Sequence, residues 1–257
     1  MGTFRFSCNF VGVSSGDAFV DKCRRAEEYG YDAVLAPDHL GAPAPFPLLV
    51  AAAAATERLR VGTLVLNVPF WNPALLAELE RFFTTDFEPL PEGAAPRPVQ
   101  RRGFGGSGPP LLVGGTGDRI LRIAAAHADI VSVAGLYQLA GKPPGTFRLG
   151  TAVEAEERVR FARECAGQRA DEIEWHLLVQ MVVETRDRRG TAAELVTRLG
   201  ADMTVDDALR TPFLLIGTVE EMAEQLRGTR QRYGFSYLTV HEPYMEAFAP
   251  VIQRLRS

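Results

Sequence analysis

The most constraining feature of the sequence is the alternation of short apolar runs with longer segments of helical period. Runs of strand length, such as "FRFSCNF" and "DIVSVAG", are each followed by a segment with apolar residues at helical spacing. Continuous apolar strands that alternate with helices are typical of a parallel sheet covered on both faces. Counting "FLLIG", eight candidate strands appear. That number favours an α/β barrel of the TIM type over an open doubly wound sheet.

Length and composition favour one soluble domain. A chain of 257 residues can bury a sizeable core and has a common length for an α/β barrel, so we predict a single domain over residues 1–257. The net charge of -4 gives no reason to expect a nucleic-acid or membrane partner. The three cysteines offer no CxxC pair for a metal, and no secretion leader is visible at the start. These features predict a cytoplasmic protein without a metal site.

One region interrupts the alternation. Residues 84–108 read "TTDFEPLPEGAAPRPVQRRGFGGSG", which is rich in proline and glycine and has no periodicity. An irregular loop of this length is uncommon inside a compact domain. It is therefore either a functional loop or a place where an ordinary strand–helix step is absent.

A glycine-rich turn joins the strand "LLV" to the following helix. Its residues are Gly114, Gly115, Thr116 and Gly117. A helix that begins after such a turn points free N–H groups and the positive end of its dipole at the turn, and glycines let a phosphate approach the backbone. Alternatively, the glycines serve only a tight bend and Asp118 caps the helix. The residues alone favour the two interpretations about equally.

Polar residues end several predicted strands, where parallel barrels bind their ligands. In "APDHL", Asp38 precedes His39, whose imidazole can exchange a proton near neutral pH, although a local structural role is the simpler interpretation of this pair. His241 and Glu242 end the last strand and either contact a ligand or turn the chain. Other polar strand-end residues are Asn9, Ser14, Asn67, Gln180 and Glu184. His127 and His176 lie at the opposite rim, and no function is predicted for them.

Five segments in order resemble the luciferase-like monooxygenase superfamily, with the closest likeness to its branch of coenzyme F420-dependent oxidoreductases from actinobacteria. Apart from the irregular stretch, the resemblance covers nearly the whole chain. The segments are "AEEYGYDAVLAPDHLG", "ATERLRVGTLVLNVPFWNPALLAELE", "APRPVQ…PPLLVGGTGDRILRIAAAHADIV", "LIGTVEEMAEQL" and "YLTVHEPYMEAFAPVI".

The resemblance implies a TIM barrel with a flavin or deazaflavin at its carboxyl face. The expected cofactor-binding residues are Asp38, Asn67, Gly114, Gly115, Thr116 and Gly117, with the glycine-rich turn holding the phosphate. His39 would lie beside the deazaflavin ring as an acid/base or stabilising group. Asn67 matches the end of the third strand, where such enzymes often carry a non-prolyl cis peptide. Trp71, His241 and Glu242 would surround the substrate.

The chain also departs from the family pattern. After Glu80, a strand–helix step and its insert are missing, and in the family "FLLIG" is only a short extended segment. This chain would therefore supply seven barrel strands and form an incomplete barrel. Three explanations are open: a segment absent from this sequence, a naturally shortened relative, or replacement of the lost strand by "TTDFEPL".

The resulting expectation is an oxidoreductase that transfers a hydride between coenzyme F420 and a small organic substrate. One alternative is an FMN-dependent monooxygenase. Another is a degenerate barrel that binds a ligand or partner without redox turnover, for which the missing step is the supporting feature. Barrels of this kind often pair through helices, so a homodimer is also expected as an option.

Overall fold

The computed structural model describes residues 3–67, 110–143, 145–199 and 203–257. The described strands are β1 (Arg5–Asn9), β2 (Ala33–Ala36), β3 (Arg60–Thr63), β4 (Leu112–Gly115), β5 (Ile130–Val133), β6 (Leu136–Gln138), β7 (Phe147–Leu149), β8 (Glu174–Val179), β9 (Met181–Glu184), β10 (Leu214–Gly217) and β11 (Tyr237–His241). The described helices are α1 (Gly16–Glu28), α2 (Pro45–Ala55), α3 (Asp118–His127), α4 (Ala152–Ala166), α5 (Arg188–Leu199), α6 (Val205–Arg210), α7 (Val219–Tyr233) and α8 (Met245–Arg256).

Seven parallel strands form one sheet in the order β3-β2-β1-β11-β8-β5-β4, curled into a half-barrel. Its edges are β3 and β4, and no strand of the described ranges lies between them. Over the described ranges, the prediction of an incomplete α/β barrel with seven family-type strands is confirmed. The segment "FLLIG" becomes β10, which pairs with β9 in a separate two-stranded sheet and adds no strand to the barrel.

The contacts divide the chain into two units. One comprises the residues up to Val65 together with Leu112–Ser257, and the other is Leu66–Leu111. The structure describes only the two ends of the second unit, which contains Asn67, Trp71 and the irregular stretch 84–108. The prediction of a single domain over residues 1–257 therefore stays a prediction.

The outer face of the sheet carries the hydrophobic core. Because side chains alternate between the two faces of a strand, Phe6 and Cys8 on β1 and Phe10 just after it point the same way, and all three are buried. Phe10 packs edge-on against Phe19 of α1 with ring centroids 5.3 Å apart. Helices thus cover this face, as continuous apolar strands predict.

The inner face carries a buried row of polar side chains across four neighbouring strands. The Ser7 and Thr239 hydroxyls are 2.5 Å apart, and Thr239 Oγ1 lies 2.6 Å from Nε2 of His176. The other ring nitrogen of His176, Nδ1, lies 2.8 Å from the Ser132 hydroxyl. Burial lowers the pKa of His176 to about 3, so its imidazole is neutral. His176 is therefore a structural link between strands.

Several helices begin with reciprocal caps that fix their entry points. At the start of α4, the Thr151 hydroxyl accepts from the Glu154 amide, and the Glu154 carboxylate accepts from the Thr151 amide. The same pattern begins α7 at Thr218 and Glu221. Among the helices that the structure describes, none is both long and apolar enough to cross a membrane.

Candidate functional site

The glycine-rich turn lies at the carboxyl end of β4, where α3 begins. Gly114 and Gly115 are the last residues of β4, and Gly117 is the N-cap of α3. The Gly115 carbonyl accepts a 3.3 Å hydrogen bond from the Ala134 amide, which ties the turn to the end of β5. The turn is therefore held by the sheet on one side and by the helix on the other.

The first two glycines are explained by packing inside the protein. A Cβ atom on Gly114 would lie 2.9 Å from Cβ of Ser132, and one on Gly115 would lie 2.4 Å from Cγ2 of Ile120. Both distances are too short for a side chain. The tight-bend interpretation thus accounts for Gly114 and Gly115.

Gly117 differs from these two glycines. Its φ of -81° is accessible to any residue, and a Cβ atom on it would meet nothing within 4 Å. Neither the backbone nor the described surroundings require a glycine here. Gly117 has no side chain to cap α3, and Asp118, which we considered as the cap, pairs with Arg158 instead. Among the described residues, no side chain therefore caps the start of α3, and the space beside Gly117 is open.

Two side chains that sequence reasoning missed lie beside the turn. Arg158 of α4 donates to Asp118 Oδ1 at 2.6 Å and to the Thr116 carbonyl at 3.5 Å, and its side chain is only 17% exposed. Tyr137 lies on β6, next to Leu136, whose carbonyl accepts a 3.4 Å hydrogen bond from the Thr116 hydroxyl. The buried Tyr137 hydroxyl has no hydrogen-bond partner within the described ranges. Burial, with a smaller contribution from Glu154, raises the pKa of Tyr137 to about 12, so the hydroxyl keeps its proton.

An uncapped helix start with the Arg158 guanidinium beside it suits an anion such as phosphate. Arg158 stays charged, since its hydrogen bond to Asp118 raises the pKa of the guanidinium. No local pattern in the sequence announces either residue, because Arg158 and Tyr137 reach the turn only through the fold.

His39 and Asp38 follow β2, which four strands separate from β4 in the order of the sheet. The Asp38 side chain is buried and the His39 side chain is exposed. The Asp38 amide donates to the Val65 carbonyl at 3.1 Å, so the ends of β2 and β3 are joined. The Leu64–Val65 bond just after β3 is a non-prolyl cis peptide, as the family resemblance implied for this strand end.

Three strand-end residues meet at the carboxyl edge of the inner face. Asn9 of β1 stands in register with His241 of β11. Nε2 of His241 lies 3.4 Å from Oε1 of Gln180, which directly follows β8. Each residue keeps one buried polar atom without a hydrogen-bond partner in the described part of the chain: Asn9 Oδ1, Gln180 Nε2 and His241 Nδ1. Because native proteins pair nearly all such atoms, a ligand or ordered water is expected at this cluster.

Glu242, which was also predicted to bind substrate, is paired outside this cluster. The Glu242 carboxylate forms an ion pair with Lys22 of α1. Trp71 lies outside the described residues, and Asn67 belongs to the second unit. Their predicted roles stay predictions.

A cavity of about 740 Å³ opens next to the strand that follows Gln180. Its lining is mainly aliphatic, with a single aromatic ring and two charged side chains. The lining residues are Met181, Val183, Thr191, Ala193, Glu194, Leu195, Thr197, Arg198 and Tyr244. Within the ranges that the structure describes, no group of three or more His, Cys, Asp or Glu side chains could hold a metal ion.

Comparison with known proteins gives a family match in the first part of the chain. Residues 1–79 match the family model described as luciferase-like monooxygenase. This segment includes β1 to β3 and the "APDHL" motif that carries His39. No curated protein sequence matches the chain.

Solved structures share the fold over nearly the whole length at low sequence identity. An F420-dependent secondary alcohol dehydrogenase in complex with an F420-acetone adduct has a TM-score of 0.64 at 14% identity, with 100% of both chains covered. The coenzyme F420-dependent tetrahydromethanopterin reductase from Methanopyrus kandleri has a TM-score of 0.63 at 14% identity, with 98% of both chains covered. A long-chain alkane monooxygenase has a TM-score of 0.63 at 11% identity, with 100% of this chain and 92% of that chain covered.

At these identities the solved structures establish the fold and not the reaction. They include enzymes that use F420 and enzymes that are monooxygenases, so they do not decide between the two. Together, the family match over residues 1–79 and the shared half-barrel fold confirm the resemblance of this chain to the luciferase-like monooxygenase superfamily.

Proposed function

We propose that this protein is an oxidoreductase that transfers a hydride between coenzyme F420 and a small organic substrate. The observation that carries the proposal is the open, uncapped start of α3 at Gly117, flanked by the Arg158 guanidinium. Such a site suits the phosphate of a cofactor tail. The F420-dependent enzymes among the structures of the same fold support F420 as the first candidate.

The proposed binding of the phosphate uses the backbone and two side chains. Amides of the glycine-rich turn at Gly117 and of the first turn of α3 would donate to the phosphate oxygens, and Tyr137 would add an O–H donor. Arg158 would supply the compensating charge. Thr116 and Asp118 would hold Arg158 in place, and Gly114 and Gly115 would let the turn pack against Ser132 and Ile120.

When bound, F420 would supply the two-electron chemistry, and the protein would supply orientation and a proton. We assign the proton to His39, since the exposed side chain of this residue lies at the carboxyl end of a barrel strand. Asp38, which is buried and whose amide bonds to the chain just after β3, would hold the neighbouring His39 in position. Asn67 would add a contact to the deazaflavin ring. The substrate would lie at His241, with Trp71 and Glu242 as further candidates.

A second candidate function is an FMN-dependent monooxygenase. The matching family model and the long-chain alkane monooxygenase of similar fold favour it. The same phosphate site would serve FMN, because FMN also carries a phosphate at the end of its side chain. A cytoplasmic location and a homodimer stay predictions beside both candidates.

Titration of the purified protein with F420 and with FMN, followed by cofactor fluorescence, tests the proposal. We expect saturable binding of F420 and weaker binding of FMN. Tighter binding of FMN would replace the first candidate with the second. Binding of neither cofactor would favour the third alternative, a degenerate barrel without redox turnover. The observation behind that alternative is that no described strand lies between β3 and β4.

A further inference from the structure

The cluster of Asn9, Gln180 and His241 is defined by its unpartnered atoms. Asn9 is only 5% exposed, yet its Oδ1 has no hydrogen-bond partner in the described chain. The same holds for Gln180 Nε2 and His241 Nδ1, both buried. Leaving such an atom unpaired costs more free energy than an ordinary hydrogen bond returns, so three together indicate that something else pairs with them.

All three side chains lie on one face at one height of the sheet. Asn9 lies two residues after Ser7, and His241 lies two residues after Thr239, so both point to the inner face, one step above the buried polar row. Gln180 follows His176 by an even number of residues and contacts His241. The cluster therefore sits at the carboxyl edge of β1, β11 and β8, directly above the closed polar row.

The hydrogen bond between Gln180 and His241 determines what the pair can offer a ligand. Burial lowers the pKa of His241, which favours the neutral imidazole with a single N–H. One bond within the pair uses one donor and one acceptor. Whichever way the Gln180 amide is turned, the pair then presents at least one donor and at least one acceptor outward.

The cluster is also uncharged. Asn9 and Gln180 carry no charge, and His241 is neutral. The nearest carboxylate in the sequence, Glu242, is paired with Lys22 of α1. An anionic or cationic ligand group would thus be desolvated here without a counter-charge, which is costly.

We propose that Asn9, Gln180 and His241 form a substrate subsite for a neutral amide-type group, in which a C=O and an N–H lie side by side. The Gln180–His241 pair would bind the C=O and the N–H together, and Asn9 would bind a second N–H where the group has one. The inference rests on the proposed function for its assignment to a substrate. We assign it to the substrate because the proposed cofactor contacts lie on other strands, at β2 and β4.

Histidine NMR tests the subsite without any turnover. The full chain, labelled with ¹⁵N-histidine, is titrated with 2-pyrrolidinone, a ring that carries the amide group, and with cyclopentanone, the same ring without the N–H. The four histidines of the chain give a small set of signals. We expect 2-pyrrolidinone to shift the His241 Nδ1 signal in a saturable way and to leave the buried His176 unchanged, and cyclopentanone to bind at least tenfold more weakly.

Variants sharpen the test. Gln180→Leu should weaken 2-pyrrolidinone binding about tenfold, the size of one lost hydrogen bond. Asn9→Leu should change it less than threefold, because 2-pyrrolidinone has no second N–H for Asn9 to bind. Glu184→Gln, at an exposed position outside the cluster, should leave it unchanged. An unchanged His176 signal shows that a variant has folded, and the comparison of the two ring compounds on the wild-type protein requires no variant.

Three outcomes would overturn the proposal. Equal binding of the two ring compounds would mean that the N–H is not recognised. Equal or tighter binding of cyclopentanecarboxylate would contradict a neutral ligand. If 2-pyrrolidinone does not shift the His241 Nδ1 signal, the three polar atoms of the cluster bind ordered water and not an amide group.

The assignment to a substrate is tested separately. Bound 2-pyrrolidinone should stay bound when F420 is added, whereas its displacement would assign the amide-binding atoms to the cofactor ring. Failure of F420 to bind, with 2-pyrrolidinone binding intact, would refute the proposed function and leave the amide-binding subsite standing.

Discussion

The side chain of Ile120 fills the space that a side chain on Gly115 would need. A Cβ atom on Gly115, the last residue of β4, would lie 2.4 Å from Cγ2 of Ile120 in the first turn of α3. At Gly117, two residues later, no described residue other than its chain neighbours comes within 4 Å of the corresponding position. One short turn therefore contains a glycine needed for packing and a glycine that packing does not need.

This contrast gives a matched pair of variants. Gly115→Ala should lower the free energy of unfolding by about 1–3 kcal/mol, because Ile120 or the backbone must move. Gly117→Ala should lower it by less than about 1 kcal/mol, the difference between the two residues at an N-cap. Gly117→Ala should weaken F420 binding at least tenfold, since its methyl group enters the proposed phosphate space. Urea denaturation and fluorescence titration measure the two effects, and unchanged F420 binding by Gly117→Ala would contradict the phosphate site.

Removal of His39 should affect turnover more than binding. We expect His39→Ala to lower kcat by about 10²–10⁴-fold, the usual contribution of a positioned acid or base, with F420 affinity changed less than threefold. The assay needs a substrate that the wild-type protein turns over. His127→Ala removes an exposed histidine at the end of α3 and serves as the control. Equal activity of His39→Ala and wild type would remove His39 from the mechanism.

Arg158 should contribute charge to cofactor binding. Arg158→Gln should raise the Kd for F420 about tenfold or more, as expected for loss of a charge-assisted contact with phosphate. Arg160→Gln makes the same change of charge at an exposed position on the same helix, and it should have little effect. If both variants bind F420 like the wild type, the guanidinium at the turn serves only its ion pairs with Asp118 and Glu157.

His176 should make stability depend on pH. Its pKa is about 3 in the folded protein and 6.5 in the unfolded chain, so between these values only the unfolded state takes up the proton. The contribution of this residue is complete above pH 6.5 and falls by about 1.4 kcal/mol per pH unit as the pH drops towards 3. His176→Gln should therefore have a flatter pH dependence of the unfolding free energy than wild type over this window. Parallel curves for the two proteins would show that His176 titrates normally.

The fold was predictable from the sequence because its strands are continuous apolar runs between amphipathic helices. The exception is instructive, since "FLLIG" is apolar enough for a barrel strand but pairs with Met181–Glu184. The apolar pattern of a segment indicates that it is a buried strand, but it does not indicate which sheet the strand joins.

The site was predictable only in part. The glycine turn was found, yet the sequence could not separate Gly115 from Gly117, because that difference depends on where Ile120 packs. Arg158 and Tyr137 were missed because helix α4 and the segment after β5 bring them to the turn. The inner-face row could have been found from the polar residues at period two within apolar strands, such as Ser7 and Asn9 in β1.

A crystal structure of the protein with F420 is the most direct measurement of the phosphate site. We predict that a phosphate oxygen lies within hydrogen-bond distance of backbone amides at Gly117 and the first turn of α3, with Arg158 beside it and the deazaflavin ring towards His39. A phosphate bound elsewhere, with the space at Gly117 filled only by water, would contradict the assignment.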